Sequence, residues 1–212
     1  MDKNRLNTNL ESIRYLLSHL HSEVTALESM YSQVLLVLRK LEKAADVDEL
    51  TGLMRRRSFF TKWNELLGEC QKLNEECGMI ILDIDHFKAV NDTYGHSTGD
   101  DVIRAVADLL KQFESPNCVV GRLGGEEFVV ATRGSEEQVI GLAEMIRTGA
   151  EKLQGEIAAP NPHAGQKWKC TLSAGVASIR SVGFDATRLL ESADEALYMA
   201  KHAGRNQVKK AA

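Results

Sequence analysis

Apolar residues recur at alternating spacings of four and three along residues 6–41, without a proline or glycine to interrupt them. This repeat is typical of a coiled-coil seam, and at about five heptads it exceeds the three to four that favour a coiled coil. The alternative is a single amphipathic helix packed on its own globular domain. Such a helix would extend for about 60 Å, and so narrow a stripe buries too little surface to hold it. We therefore predict a coiled-coil dimerisation helix over residues 1–46. The repeat consists of Leu6, Leu10, Ile13, Leu17, Leu20, Val24, Leu27, Tyr31, Val34, Leu38 and Leu41.

From residue 47 to residue 212 the pattern becomes that of a globular α/β domain. Helical spacing alternates with short apolar runs, and one of these runs closes in two acids, as a buried strand end does. Two short β segments on either side of residues 123–126 have the layout of a hairpin. The predicted helices are 57–76, 100–113, 136–154 and 186–202, and the predicted strands are 78–85, 118–122, 127–132 and 167–174.

Charge and composition narrow the classes of partner. The formal net charge is −4, so the chain has no general basic face, and we expect no nucleic-acid partner. A polyanionic substrate would have to be held locally, by a few cations and a metal. No apolar run approaches the roughly 20 residues that span a bilayer, and the first residues lack a signal-peptide layout, so we expect no membrane association. Four cysteines without CxxC spacing indicate reduced thiols and a cytoplasmic location.

Two groups of acids carry the candidate chemistry. Asp83 and Asp85 close the apolar strand and share one face of it, while Glu126 and Glu127 follow two glycines in the predicted hairpin turn. Nucleotidyl transfer needs divalent cations bound by carboxylates, which such acids could supply if the strand end met the turn. Taken separately, each group could equally be a solvated strand end or an ordinary turn.

Taken together, the motifs resemble the GGDEF domain of diguanylate cyclases, in its GGEEF variant. The resemblance covers roughly residues 48–208 and holds in separate blocks that occur in the family's order. These blocks are Asp48–Leu53, Asp83–Lys88, Asn91–His96 with Gly99 and Asp100, Arg122 with the Gly124–Phe128 turn, Ala193–Tyr198, and Ala200–Asn206.

The resemblance implies a role for each matched residue. Asp83, Glu126 and the main-chain carbonyl of Ile84 would bind Mg²⁺ or Mn²⁺, and Glu127 would deprotonate the attacking 3′-hydroxyl or help bind a second metal. Substrate-binding roles fall on three further groups. Guanine would be read by Asn91 and Asp100, the phosphates would be neutralised by Lys88, Lys201 and Arg205, and backbone N–H groups near His86 and Phe87 would cradle the terminal phosphates.

Each matched residue also has an ordinary structural interpretation. The lysines and the arginine could be surface charges, and Asn91 could cap a turn. We expect His86 and His96 to have no imidazole chemistry, and Arg122 to pair near the turn rather than to catalyse.

The resemblance further implies an α/β fold with a central, mostly antiparallel sheet flanked by helices, similar to the palm of nucleotide cyclases and polymerases. Each domain would hold one GTP, and two domains in a homodimer would join two GTP molecules into cyclic di-GMP. The coiled coil would bring the half-sites together. Three rival functions stay open: a degenerate GTP-binding signalling protein, an enzyme that makes a mixed adenine–guanine dinucleotide, and a structural coiled-coil adaptor.

Two departures from the family pattern stand out. Met54 and Arg55 replace the usual proline and asparagine after the first motif, which predicts a local change at the start of a helix. Ser115 and Cys118 replace the arginine and aspartate of the product-inhibition site that many members carry. Neither side chain can clasp a guanine or a phosphate as that pair does, so we predict that this site is absent.

Overall fold

The computed structural model describes the backbone of residues 3–211 and the side chains of residues 14, 16, 17, 19–37 and 46–211. Two units divide the chain, Met1–Ala45 and Asp46–Ala212. The helices are α1 Lys3–Asp46, α2 Arg56–Leu73, α3 Phe87–Tyr94, α4 His96–Lys111, α5 Glu136–Ala150, α6 Ile179–Val182 and α7 Ala186–His202. The strands are β1 Met54–Arg55, β2 Cys77–Ile84, β3 Cys118–Gly124, β4 Glu127–Arg133, β5 Gln154–Glu156, β6 Lys167–Lys169, β7 Leu172–Ser178 and β8 Val208–Lys210.

The described part of the first unit belongs to a single long helix, α1. Every seam residue with a described side chain, from Leu17 to Val34, is exposed. The side chains of Leu6, Leu10, Ile13, Leu38 and Leu41 lie outside the described residues. Within residues 3–211, no helix is both long enough and apolar enough to cross a membrane.

The second unit is built on a six-stranded sheet in the order β1-β3-β4-β2-β7-β8. The central pairs β3–β4, β4–β2 and β2–β7 are antiparallel, and only the short edge strands β1 and β8 pair in parallel. The expected α/β fold with a mostly antiparallel central sheet is therefore confirmed. A separate two-stranded sheet joins β5 to β6.

Apolar residues cover both faces of the sheet, which explains why β2 is apolar along its whole length. Ile80 and Leu82 face a core shared with α4 and α5. Met79 and Ile81 face the opposite core, which contains side chains of α2 and α7. Because β2 is buried at every position, it is a rigid support for the acids at its carboxyl end.

The structure corrects several predicted elements. Residues 87–94 form a helix, α3, that was not predicted. Residues 167–174 were predicted as one strand but divide between β6 and β7, because β6 pairs with β5 in the separate sheet. The helices predicted to end at residues 76 and 154 end at Leu73 and Ala150, and the helix predicted over residues 100–113 spans His96–Lys111.

Candidate active site

The predicted acids meet at one end of the sheet. Asp83, the penultimate residue of β2, lies directly opposite Glu127 on β4 and opposite Ser173 on β7. Glu126 precedes β4 in the turn, and its backbone carbonyl accepts a hydrogen bond from the Ile84 N–H at 3.3 Å. The fold thus joins the two groups of acids that are about forty residues apart in the sequence.

Arg122 holds the turn that carries the acids. Its Nε and Nη2 donate to the Gly125 carbonyl at 3.0 and 2.7 Å, and its Nη1 donates to Asp48 Oδ1 at 2.7 Å. Gly125 has a φ of 50°, in the left-handed region that glycine adopts without steric cost. The expectation that Arg122 pairs near the turn is confirmed. The Arg122 side chain thus links the turn to Asp48, in the loop at the start of the second unit.

Asp83 lies in an unfavourable electrostatic environment for its carboxylate. Burial raises the pKa of its carboxyl group, Lys201 acts to lower that pKa, and the charges of Glu126 and Glu127 raise it further. The Lys201 Nζ lies 2.7 Å from Asp83 Oδ2. A buried carboxylate beside two more carboxylates needs a positive charge nearby, and Lys201 supplies one.

Asn91 and Asp100 lie at the corner between α3 and α4. Asn91 is on α3, and its amide rests against the first turn of α4, where a β-carbon on Gly99 would lie only 2.0 Å from Asn91 Oδ1. Asp100 is the next residue of α4 and is half-buried. A glycine at position 99 therefore lets the two helices bring an amide and a carboxylate to one corner.

The predicted phosphate ligands come from two places. His86 is the N-cap residue of α3 with a φ of 57°, Phe87 begins the helix with a buried side chain, and Lys88 is exposed. Lys201 is in the last turn of α7, whereas Arg205 lies beyond the helix in a left-handed turn with a φ of 64°. Arg205 therefore does not share a helix face with Lys201.

A cavity of about 270 Å³ borders Glu127, and Arg56 lines it as well. The Arg56 guanidinium group lies 5.4 Å from the centre of the Phe60 ring. Among residues 46–211, no ion pair involves Arg56. Its position in the run Met54–Arg57 gave no sequence signal that it would lie beside Glu127.

Asp85 differs from the neighbouring acid Asp83, with which the sequence grouped it. It is buried, and its carboxylate accepts hydrogen bonds from Thr171, Ser173 and the Asn206 backbone. No sequence signal pointed to these three partners, because they come from distant segments and are common surface residue types.

No set of three or more His, Cys, Asp or Glu side chains in the described part of the chain is arranged as a ready metal centre. Of the acids at the sheet end, Asp83 instead pairs with Lys201. The buried thiols are also separate from the site. Burial raises the pKa of Cys118 and of Cys170 to about 11, as expected of thiols that fill the core.

Comparison with known proteins gives consistent matches. The family model described as diguanylate cyclase, GGDEF domain, matches residues 45–207. A probable diguanylate cyclase of Escherichia coli K12, DgcT, is 36% identical over 188 residues, which cover 88% of this chain and 40% of the relative. The chain thus spans less than half the length of this curated relative.

Two solved structures extend the similarity to the helix. The coiled coil and GGDEF domain of DgcB from Caulobacter crescentus, in complex with c-di-GMP, has a TM-score of 0.79 and 30% identity, and the match covers 91% of this chain and 99% of that one. Diguanylate cyclase SiaD from Pseudomonas aeruginosa, in complex with its activator SiaC, has a TM-score of 0.71 and 27% identity, with 98% and 78% covered.

The fold and the acidic sheet end define an α/β nucleotide-cyclase-like domain that follows a long helix. The chain belongs to the GGDEF domain family.

Proposed function

We propose that this protein is a diguanylate cyclase that condenses two GTP molecules into cyclic di-GMP and two pyrophosphates. The observation that carries the proposal is the meeting of Asp83, Glu126 and Glu127 at one end of the sheet. The names of the relatives support the same activity, because DgcT is a probable diguanylate cyclase and the DgcB structure contains c-di-GMP.

The donor set at the sheet end fits a divalent metal. Carboxylate and carbonyl oxygens are the ligands that Mg²⁺ and Mn²⁺ prefer, and Asp83, Glu126 and the Ile84 carbonyl are of this kind. Lys201, 2.7 Å from the Asp83 carboxylate, pairs with only one of three neighbouring carboxylates, so the acids retain net negative charge that a metal cation could neutralise. When bound, Mg²⁺ or Mn²⁺ would polarise the triphosphate and stabilise charge on the leaving group.

The remaining predicted ligands would orient one GTP in each domain. Asp100 would accept hydrogen bonds from the guanine N1–H and exocyclic amine, and Asn91 can both donate and accept. Lys88, Lys201 and Arg205 would neutralise the phosphates, and backbone N–H groups at His86 and Phe87, where α3 begins, would cradle their terminal oxygens. Lys201 would exchange its partner Asp83 for phosphate as the substrate binds.

The proposed chemistry is two successive nucleotidyl transfers, in each of which a ribose 3′-hydroxyl attacks an α-phosphorus. Glu127 accepts the proton of a ribose 3′-hydroxyl, and this oxygen forms a bond to the α-phosphorus of the other GTP. The bond from that phosphorus to the β-phosphate oxygen breaks, and pyrophosphate leaves. The second 3′-hydroxyl then attacks in the same way and closes the ring. Rate acceleration would come from positioning and charge stabilisation.

One domain holds only half of the reacting atoms, so the reaction requires two chains. The exposed seam of α1 supplies a way to pair them: Leu17, Leu27 and Tyr31 are each about 60% exposed in the single helix. We propose that two copies form a parallel coiled coil through this seam. The coiled coil in the DgcB structure supports this assignment. Because GTP is a cytosolic nucleotide, we expect the reaction in the cytoplasm.

The test is chromatography of the products formed from GTP with Mg²⁺, with Mn²⁺ and with a chelator, at several protein concentrations. We expect cyclic di-GMP and pyrophosphate only with metal, and a rate per subunit that rises with concentration until the dimer is saturated. GTP binding without pyrophosphate release would indicate a degenerate signalling protein. A mixed dinucleotide from GTP plus ATP would indicate the other cyclase specificity.

A further inference from the structure

Asp85 is fully engaged within the chain although it is two residues from Asp83. It is 6% exposed. Its Oδ1 accepts a hydrogen bond from the Ser173 hydroxyl at 2.6 Å, and its Oδ2 accepts from the Thr171 hydroxyl at 2.7 Å and from the Asn206 backbone N–H at 3.0 Å. Both carboxylate oxygens are therefore used, so Asp85 is poorly placed to act as a further metal ligand.

The contact with Asn206 joins the end of β2 to the loop between α7 and β8. Arg205 and Asn206 are two consecutive non-glycine residues in the left-handed region, with φ values of 64° and 43°. Such a conformation is sterically unfavourable for a residue with a β-carbon and persists where surrounding contacts impose it. The Arg205 N–H donates to the Ala200 carbonyl at 3.1 Å, and the Asn206 N–H donates to Asp85.

The Asn206 side chain anchors the same turn on its other side. Its Oδ1 accepts from Arg147 Nη1 at 2.8 Å, and its Nδ2 donates to Glu151 Oε1 at 2.5 Å, both at the carboxyl end of α5. Asn206 is thus held between β2 and α5. The preceding residue, Arg205, carries an exposed guanidinium group and has no fixing contact of its own side chain in the described part of the chain.

We propose that Asp85 is a positioning residue for phosphate recognition, which imposes the left-handed turn that presents Arg205 to the triphosphate. This inference rests on the proposed function, in which Arg205 binds the phosphates of GTP. Asp85 touches neither the substrate nor the metal, and it acts through the backbone of Asn206. Without the acceptor, the Asn206 N–H loses its partner, the turn relaxes and Arg205 samples many positions. Binding of the triphosphate must then fix Arg205 in one position, and the lost conformational entropy weakens binding.

The test compares two ligands and two substitutions. Equilibrium binding is measured for the α,β-methylene analogue of GTP, which cannot react, and for guanosine, which has no phosphates. Asp85→Ala should weaken binding of the analogue about tenfold, the loss expected for a hydrogen bond to a charged group, and leave guanosine binding unchanged. Asp85→Asn keeps an oxygen that can accept from Asn206, so it should bind the analogue within about threefold of the wild type.

A double substitution tests the route through Arg205. Arg205→Ala should itself weaken binding of the analogue, and Asp85→Ala added to it should cause little further loss, because the turn no longer presents a guanidinium group. Asp108→Asn, which removes an exposed carboxylate paired with Lys111, is the matched control. If Asp85→Ala does not fold, Asp85→Ser takes its place, since its hydroxyl satisfies the neighbouring side chains but is too short to reach Asn206.

Each alternative has a distinct result. Equal weakening of guanosine and analogue, equal loss in the alanine and asparagine variants, or additive losses in the double variant would overturn the positioning role. An Arg205→Ala protein with unchanged affinity for the analogue would instead contradict the assignment of Arg205 in the proposed function, and with it the basis of this inference.

Discussion

At the scale of single residues, the Asp83 carboxyl group lies among opposing electrostatic influences. Burial raises the pKa of its carboxyl group, Lys201 opposes the rise, and Glu126 and Glu127 add to it. The ionised form of Asp83 therefore lowers the free energy of unfolding. Such a cost is common at functional sites, where groups needed for binding are retained although they reduce stability.

Replacing Asp83 should separate activity from stability. We expect Asp83→Asn to abolish cyclic di-GMP formation and to raise the melting temperature of the metal-free protein at neutral pH. The sign follows from the raised pKa, because the folded state disfavours the ionised form of Asp83. The gain in unfolding free energy from Asp83→Asn is therefore present above the folded pKa of Asp83 and disappears at lower pH, where Asp83 is protonated. Product chromatography and thermal unfolding in chelator at several pH values would test this. Wild-type turnover in a folded Asp83→Asn or Glu126→Gln protein would refute the metal assignment.

Recognition of guanine gives a second test at this scale. Asp100→Ala should weaken GTP binding by roughly 1.5–3 kcal/mol, because the guanine N1–H and amine lose an ionised acceptor. Asp101→Ala is a suitable control, since Asp101 is the adjacent residue but pairs with Arg104 on the helix surface. Titration calorimetry with a non-reactive GTP analogue would compare them. Equal affinities for the Asp100 and Asp101 variants would mean that guanine is read elsewhere.

At the scale of elements, Arg122 and Asp48 form a latch between the domain's first loop and the acidic turn. Burial acts to raise the pKa of Asp48, but hydrogen bonds from Thr51 and Arg122 outweigh it and lower that pKa below its usual value. Gly124 and Gly125 add no side-chain packing to the turn, whose backbone is also held by the hydrogen bond from the Ile84 N–H to the Glu126 carbonyl. The latch therefore couples domain stability to the position of Glu126.

The latch predicts a pH-dependent loss of stability. Asp48→Asn should lower the free energy of unfolding by about 1–2 kcal/mol at pH 7. Because the folded pKa of Asp48 is depressed, its contribution is complete above the unfolded pKa of about 3.9 and is lost as the pH falls through the folded value. The difference between wild type and variant in denaturant unfolding should therefore begin to narrow below about pH 4 and should close as Asp48 is protonated in the folded protein. A difference that stayed constant down to acid unfolding would contradict this ionic role.

The segment between α4 and β3 carries a prediction about product inhibition. Ser115 and Cys118 form a backbone bridge, and the Cys118 side chain is buried, so these two positions supply no arginine and aspartate pair to bind a dinucleotide. We expect added cyclic di-GMP to cause no non-competitive inhibition through this surface, as measured by progress curves with product present from the start. Strong inhibition with product bound beside Ser115 would show that a different contact replaces the missing pair.

The elements that the sequence predicted well are those with long periodic or continuous apolar patterns. The β2 strand, the β3–β4 hairpin and α7 were predicted to within two residues, because each buries an apolar face against the sheet core. The α3 helix was missed, since its eight residues FKAVNDTY bury little apart from Phe87. The split between β6 and β7 depends on pairing with β5, which no local pattern reveals, and β1 and β8 are too short for periodicity to show.

The acidic site was predictable only in part, for a related reason. The strand end with Asp83 and the glycine turn with Glu126 and Glu127 were each visible as local features, whereas their meeting was expected only from the family resemblance. The partners of Asp85 come from β7 and from the turn after α7, and the Lys201–Asp83 pair also joins distant segments. Such contacts depend on the order of strands in the sheet, which the spacing of residues along the chain does not specify.

At the scale of the whole molecule, the proposed reaction requires two nucleotide sites to meet, and we propose that the exposed seam residues of α1 pair the two chains. Replacing Leu17, Leu20 and Leu27 with glutamate would place unpaired charges in a paired seam, at a cost of several kcal/mol for each if the helices stayed together. We expect the helices to separate instead. GTP binding per subunit should survive, because its predicted ligands lie within one chain, while turnover should fall and become steeply dependent on concentration.

A matched triple variant distinguishes loss of the seam from added charge. Ser22, Ser29 and Ser32 are exposed residues of the same helix that lie off the seam, so three glutamates there change the net charge equally without entering a paired interface. Sedimentation and initial rates would be measured together across a dilution series for both variants. The control should remain dimeric and active. A monomeric seam variant with full activity independent of concentration would rule out the proposed role of α1, because two separate domains would then meet without it.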